Sequence, residues 1–503
     1  MFKQFFLTFL ITCSFILSAA NENDYYTITD IPVPEGFEVT CIEVLPNKKI
    51  AVGSRRGDIY IIENAYDNDP KNDKWTLFAT GIHEPLGLSY YKGWLWCTQR
   101  PEVTRMKDVD GDGFADKYEC ISDDWGINGN YHEYAFGTKH DKEGNIWVVL
   151  CLTGSGGAAS DFRGWCVRIN ENGDLIPTAS GIRSPGGMGI NHLGDVFYSD
   201  NQGLWNGTSS VKHLKIGSFQ GNPTGNKFYS LTDEIGPKTP DPKSGGRIVT
   251  ERETIKDFVP PAANLPHQKL GTSTSGIACD TTNGKFGPFQ NQLFANDQGQ
   301  SLISRLALEQ VNGVYQGMAI KFREGFGSGN VPAVMSPDGA LFIGGTNRGW
   351  NSTGRKPGAL ERVNWTGKTP FEVHHMQITK TGFNLVFTEK IDPASLTSES
   401  IKANANTWIY QSGYGSPEVD IIDLKITDVK FANDAMSAHI TLDKIYKGHT
   451  HNFDFGSIKS AKGNPLLHSN AYYTVNEVLG EVHIVPAVNP APKKKKKVVK
   501  KKK

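Results

Sequence analysis

Short apolar runs, many of them alternating with polar residues, recur along most of this chain, separated by turns rich in Gly, Asn, Asp and Pro. Helical periodicity is nearly absent, and the 54 glycines fall largely between the runs, which together predict an all-β fold. The runs repeat. Gly81-Ile82-His83-Glu84-Pro85-Leu86-Gly87-Leu88 returns as Gly181-Ile182-Arg183-Ser184-Pro185-Gly186-Gly187-Met188, and Tyr131-His132-Glu133-Tyr134-Ala135-Phe136 takes the same place midway between them. Later copies start at Ser273 and Asn330. A second run, aromatic or β-branched, follows each copy: 93–96, 145–149, 195–198, 291–294 and 339–343. Residues 47–52 and 57–60 supply an earlier unit. Six units of roughly fifty residues predict a six-bladed β-propeller, because each small sheet must stack on its neighbours. His83, His132 and Arg183 each stand just before an innermost strand, so all three are expected at one rim of the central channel.

The propeller is expected over residues 35–367, with 201–266, poor in strand signals, lying over the rim as extended loops. Beyond 367 the repeat ends, and runs at 382–387, 421–431, 439–442 and 472–475 predict a small β-sandwich, immunoglobulin-like, over 368–480. Residues 1–20 carry Lys3, an apolar stretch and Ser18-Ala19-Ala20, the pattern of a cleaved secretory signal, so a secreted or periplasmic protein is expected. Residues 488–503 read as a disordered tail ending in nine lysines, suited to an anionic surface.

Charge narrows the partners. The formal net charge is zero, but ten of the 53 basic residues sit in the signal and tail, which leaves the body about ten charges acidic. An acidic body argues against nucleic acid. Six cysteines follow the signal, an even number that leaves disulfides and free thiols both open; Cys151 and Cys166 flank a Gly-rich connection that a bridge would close. No C-x-x-C-H is present, so any electron transfer needs a separate acceptor.

The most specific motif is DVDGDGFADKYE. Asp108, Asp110 and Asp112 at positions one, three and five, Gly113 at six, the Phe114 carbonyl at seven, Asp116 at nine and Glu119 at twelve fit a calcium loop. No helices flank it, so a calcium loop between strands is expected, stiffening the segment that delivers His132.

GIRSPGG resembles the G-x-R-N-P-x-G turn of soluble quinoprotein sugar dehydrogenases of the sorbosone and aldose type. The runs DGDGFADKYE, NYHEYAFG, GIRSPGG, DNQGLWNGTSS, GSFQGNP, LPHQKLG and GGTNRGW look more closely like a group of secreted proteins labelled membrane-bound dehydrogenases. The resemblance covers about residues 35 to 367 and implies a sugar or related alcohol, or a sugar derived from a polysaccharide, as substrate, with pyrroloquinoline quinone and calcium as cofactors. It casts His132 as the general base and Arg183 and Arg348 as holders of the quinone. Taken from the residues alone, His132 equally fits a rim histidine bonded to a loop, and Arg183 a structural partner of Asp200. Two other functions stay open: a non-catalytic propeller that binds carbohydrate or protein at the cell surface, and a calcium-dependent lactone hydrolase, whose metal belongs in the central channel.

Overall fold

The computed structural model describes residues 21–487 apart from Ser155 and Trp350; the expected signal and lysine tail lie outside the described residues. Six sheets form the body, antiparallel except for a two-residue parallel ladder of Ser218–Phe219 on Leu175–Ser180. Blade one comprises Val39–Leu45, Lys49–Ser54, Ile59–Glu63 and Lys74–Ala79, and blade two Gly87–Tyr91, Trp94–Thr98, Val103–Lys107 and Lys117–Ser122. Blade three holds Ala135–His140, Ile146–Leu150, Trp165–Ile169 and Leu175–Ser180; blade four holds Pro185–Ile190, Val196–Asp200, Ser209–His213 and Pro261–Leu265. Blade five is Thr274–Cys279, Leu293–Asp297, Leu302–Val311 and Val314–Glu324. Blade six takes Asn330–Met335, Ala340–Thr346 and Gly358–Trp365 from one end of the ring and Tyr26–Ile31 from the other, paired from Tyr26 opposite Trp365 to Ile31 opposite Leu360.

The first strand of each blade packs on the first strand of the next, and the last on the first, closing the six-bladed propeller. Glycines let these strands come close. A Cβ on Gly187 would stand 2.6 Å from the Cα of Gly276, and one on Gly87 2.7 Å from the Gly137 carbonyl oxygen, so a side chain at either would push two blades apart. The channel between them is a cavity of about 190 Å³ lined by Leu86, Phe136, Met188, Val331 and Pro332, with Glu43 and Lys139 supplying charge.

Three expectations need correction. The propeller recruits Tyr26–Ile31, before its expected start at 35, because a strand from the far end of the chain supplies the outer ladder of blade six. In blade one the innermost strand is Val39–Leu45; residues 47–52 are a turn and the second strand, reversed by Asn47 and Lys48 at φ +60° and +58°. The 201–266 segment supplies two strands of blade four, Ser209–His213 and Pro261–Leu265, besides a 3-10 helix at Pro223–Leu231 and an α-helix at Ile248–Thr254. Those two strands have little β propensity of their own, and pairing with buried Val196–Asp200 and with each other holds them.

After the ring, two sheets face each other. One runs Val373–Ile378, Gly382–Phe387, Ser437–Leu442, Ile426–Phe431. The other, Asn470–Val475, His449–Asp454, Lys402–Trp408, Glu418–Asp423, is hydrogen-bonded directly to Val314–Glu324, so one eight-stranded sheet passes out of blade five. Their shared core joins Phe383, Phe387, Phe453 and Tyr473 to Met318 and Ile320 of the blade. Burying each such side chain contributes roughly 1.5–3 kcal/mol. A chain of ions crosses the same junction. His468 stands 2.8 Å from Glu22 and 2.6 Å from Glu372; Arg323 holds Glu22 at 2.7 Å and Arg305 holds Glu372 at 3.0 Å. Burial alone would lower the His468 pKa, but Glu372 and Glu22 outweigh it and raise it to about 9.

Candidate functional site

Within every blade the first strand runs away from one rim, so the loop before it and the loop between strands two and three open on that rim. His132 and Arg183 precede the first strands of blades three and four, and Arg348 follows the second strand of blade six, Ala340–Thr346. The fold therefore brings these three to one end of the channel. Exposed His83 also precedes a first strand; its amide bonds Gln99.

The turn presenting His132 is built from below. Glu133, fully buried, accepts from the Asn128 amide at 2.7 Å and from Thr153 Oγ. Fully buried Arg163 donates to the carbonyls of Gly126 and Tyr134. Asn130 Oδ1 accepts from the amides of His132 at 3.0 Å and Gly154 at 3.2 Å. From the neighbouring blade, Arg100 donates to the carbonyls of Asn130 at 2.9 Å and Tyr131 at 3.0 Å while paired with Glu84. The imidazole is half-buried and packs against exposed Tyr131, ring centroids 3.9 Å apart. Burial, then Arg183, then Arg100 lower its pKa from the ordinary value, which favours the neutral form able to accept a proton.

Arg183 is 5 % exposed. Its Nη1 donates to the Gln202 carbonyl at 2.9 Å, its guanidinium lies flush on Gly203, and its Nε is buried without a partner. The Tyr414 ring covers it, centroid 5.3 Å from Cζ. Asp200 is not its partner: Asp200 is bonded to buried Lys212 at 2.9 Å and accepts from the Ser184 amide at 2.9 Å, which fixes the turn. Arg348 is exposed. An unspent buried donor on Arg183 and an open guanidinium on Arg348 have the chemistry to hold a carboxylated ring.

Arg100, Tyr131 and Tyr414 were not singled out from the sequence. A signal existed for the first, because Arg55, Arg100 and Arg348 all stand one or two residues beyond the second strand of their blades. Arg55 joins the same cluster, paired with Glu38 and 3.5 Å from Glu84. Nothing local marks Tyr414, which arrives from beyond the propeller. Trp125 is core, its Nε1 donating to the Arg100 carbonyl at 3.0 Å. The six cysteines are free; Cys151 and Cys166 are both buried, and Cys151 lies under the Arg183 carbonyl.

The acidic loop joins strands three and four of blade two, at the end of the blade opposite His132. It therefore does not stiffen the turn that presents His132; Arg100 and Asn130 do. Carboxylate oxygens of Asp108, Asp110 and Asp116 converge within 4.8 Å of one another. Backbone amides brace them: Gly111 and Gly113 donate to Asp108, and Val109 to Asp116 at 2.6 Å. Asp112 instead accepts from the amide of Phe114 at 2.8 Å. Glu119 does not close the loop. It lies on a strand opposite Arg105, which it meets at 2.5 Å, and Lys117 holds its other oxygen at 2.7 Å. A helix would swing position twelve back toward the ion; a strand carries it onto the sheet face. The three convergent carboxylates fit a hard divalent cation.

A six-bladed propeller with a histidine and arginines gathered at one rim is thus the class that fold and site define. The chain belongs to the family described as Domain of unknown function (DUF7133), whose model matches residues 41–344, from blade one to the second strand of blade six. No curated protein matches it. Among solved structures it is similar to an oxidoreductase described as a glucose dehydrogenase from Thermus thermophilus, 16 % identical over 67 % of this chain and 99 % of that one, TM-score 0.49. It is also similar to the PQQ-bound aldose sugar dehydrogenase of Streptomyces coelicolor, at 14 % identity, 68 % and 98 % coverage and TM-score 0.48. A third is the soluble aldose sugar dehydrogenase of Escherichia coli in its apo form, at 14 %, 67 % and 99 %, and 0.46.

Proposed function

We propose that the rim is the active site of an exported oxidoreductase that acts on a sugar or related alcohol. The observation that carries this reading is the half-buried His132, held toward its neutral form beside Arg183 and Arg100. His132 accepts the proton of a substrate hydroxyl as the carbon bearing it is oxidised to a carbonyl. Arg183 and Arg348 would hold the carboxylates of pyrroloquinoline quinone, which supplies the two-electron acceptor when bound. Asp108, Asp110 and Asp116 would hold calcium at the opposite end, in a structural role. The resemblance of the sequence to sugar dehydrogenases and to the membrane-bound dehydrogenase group supports the reading, and a separate carrier is needed to take the electrons onward.

The test is reconstitution with calcium and pyrroloquinoline quinone, followed by dye reduction over a sugar panel. His132→Ala should lower turnover by about 100-fold or more and leave quinone binding intact, whereas Arg183→Ala should weaken quinone binding. Wild-type protein that binds no quinone at saturating calcium rejects the redox reading.

One observation favours a second reading. Arg183 is covered by Tyr414 and spends Nη1 on a backbone carbonyl, an arrangement that befits a propeller binding carbohydrate without chemistry.

A further inference from the structure

The hairpin that carries Tyr414 belongs to the region after the ring, between Lys402–Trp408 and Glu418–Asp423, yet it is fastened to the propeller rim. The amide of Gly415 donates to the Gly203 carbonyl at 2.9 Å, that of Ser416 to Gly207 at 3.0 Å, and that of Trp205 to Gln411 at 2.7 Å. Tyr410 exchanges backbone bonds with the 245–246 segment, packs its ring at a tilt against Trp205 and donates its hydroxyl to the Gly221 carbonyl. Arg247, 2.7 Å from Asp420 with both side chains buried, ties the base of the hairpin to the same insertion. Gly415, at φ +60°, lies so close to the Gln202 side chain that a Cβ would meet it at 2.9 Å.

A strap fixed at so many points nevertheless leaves Tyr414 64 % exposed. Packing alone does not account for a large aromatic ring held rigid in water above a buried cation. Across the rim, Tyr131 is 60 % exposed beside His132.

We propose that Tyr414 is a substrate-binding residue of the rim, contributed by the C-terminal region, and that its open ring stacks against the C–H face of a sugar ring. The pairing suits a carbohydrate: an aromatic face attracts polarised C–H groups, the Arg183 guanidinium below fixes the ring's orientation, and a pre-ordered ring loses little entropy on binding. This rests on the reading that the rim takes a sugar, which the redox and binding functions share.

The experiment is calorimetric titration of the full mature chain with cellobiose, maltose, laminaribiose and diacetylchitobiose. For whichever of these binds tightest, Tyr414→Ala should weaken affinity at least fivefold while the melting temperature stays put, and Tyr414→Phe should bind as wild type. A smaller loss in Tyr414→Ala overturns the stacking role and leaves the rim's sugar reading standing. Wild-type protein that binds none of the four overturns both. Wild-type protein that binds sugar yet reduces no dye with the quinone and calcium supplied would instead reject only the redox reading.

Discussion

Asp108, Asp110 and Asp116 lie within one short turn of blade two, whereas the rim around His132 collects residues from Arg55 to Tyr414, from five blades and the region beyond them. The two sites sit at opposite ends of the propeller and were built by different means. In the acidic loop the ligands are neighbours in sequence and their own backbone amides brace them. At the rim each functional group depends on a partner from another part of the fold: His132 on Arg100 of the neighbouring blade, Arg183 on Tyr414 from the region after the ring. A local site can be lost without disturbing the ring. A site assembled across blades is lost when any one support fails.

The sharpest way to break this contrast is Arg100→Ala. It removes the close ion pair with Glu84 and the guanidinium donors to the carbonyls of Asn130 and Tyr131, and should cost about 3 kcal/mol, read by denaturant unfolding, along with rim function. An unchanged unfolding midpoint would mean that the His132 turn stands alone. At the other end, calcium held at 100 times its Kd should add about 2.7 kcal/mol of stability. Chelation should remove that gain, and Asp110→Ala should make the protein indifferent to the chelator. Calcium-free protein with the same melting temperature would reduce the loop to a solvated turn.

The junction between ring and sandwich gives a third term. Because the His468 pKa is raised from 6.5 to about 9, its contribution to stability is complete below pH 6.5 and fades as pH climbs through about 9. Glu22 moves the other way. Burial alone would raise it, but its bonds to His468, the Glu324 amide and Arg323 hold it at about 2, so its contribution is lost only as pH falls from 4.5 through 2. Melting temperature should therefore drop between pH 7 and 10, and His468→Asn should flatten that slope. The smallest effect belongs to the lysine tail. Deleting residues 493–503 should weaken retention on acidic polysaccharide at low salt and leave melting unchanged, since a screened, solvated charge carries little stability; equal retention would show an inert end.

Legibility in the sequence follows the same division. The loop motif was readable because its ligands are close in sequence, although Glu119 was expected to close it and the strand that follows carries it onto the sheet face instead. The blades were readable from the spacing of their first strands, since turns such as Gly81-Ile82 and Gly181-Ile182 repeat. Tyr26–Ile31 and Ser209–His213 were not, because their pairing partners, rather than their composition, make them strands. At the rim, His132 and Arg183 stood out by position before a strand. Arg100 needed a comparison of the residues after second strands, and Tyr414 needed the tertiary fold, which brings in a hairpin more than two hundred residues beyond Arg183.

The sheet that passes unbroken from blade five into the C-terminal region leaves no seam at which a protease or an engineer could part the two. Cutting after the last blade strand would strip Asn470–Val475 from Gly317–Ile320 and bare a row of unpaired amides and carbonyls beside Met318 and Ile320, an open template for other chains. The ring expressed alone should therefore stick to itself, and the whole protein should melt as one body with a single calorimetric peak.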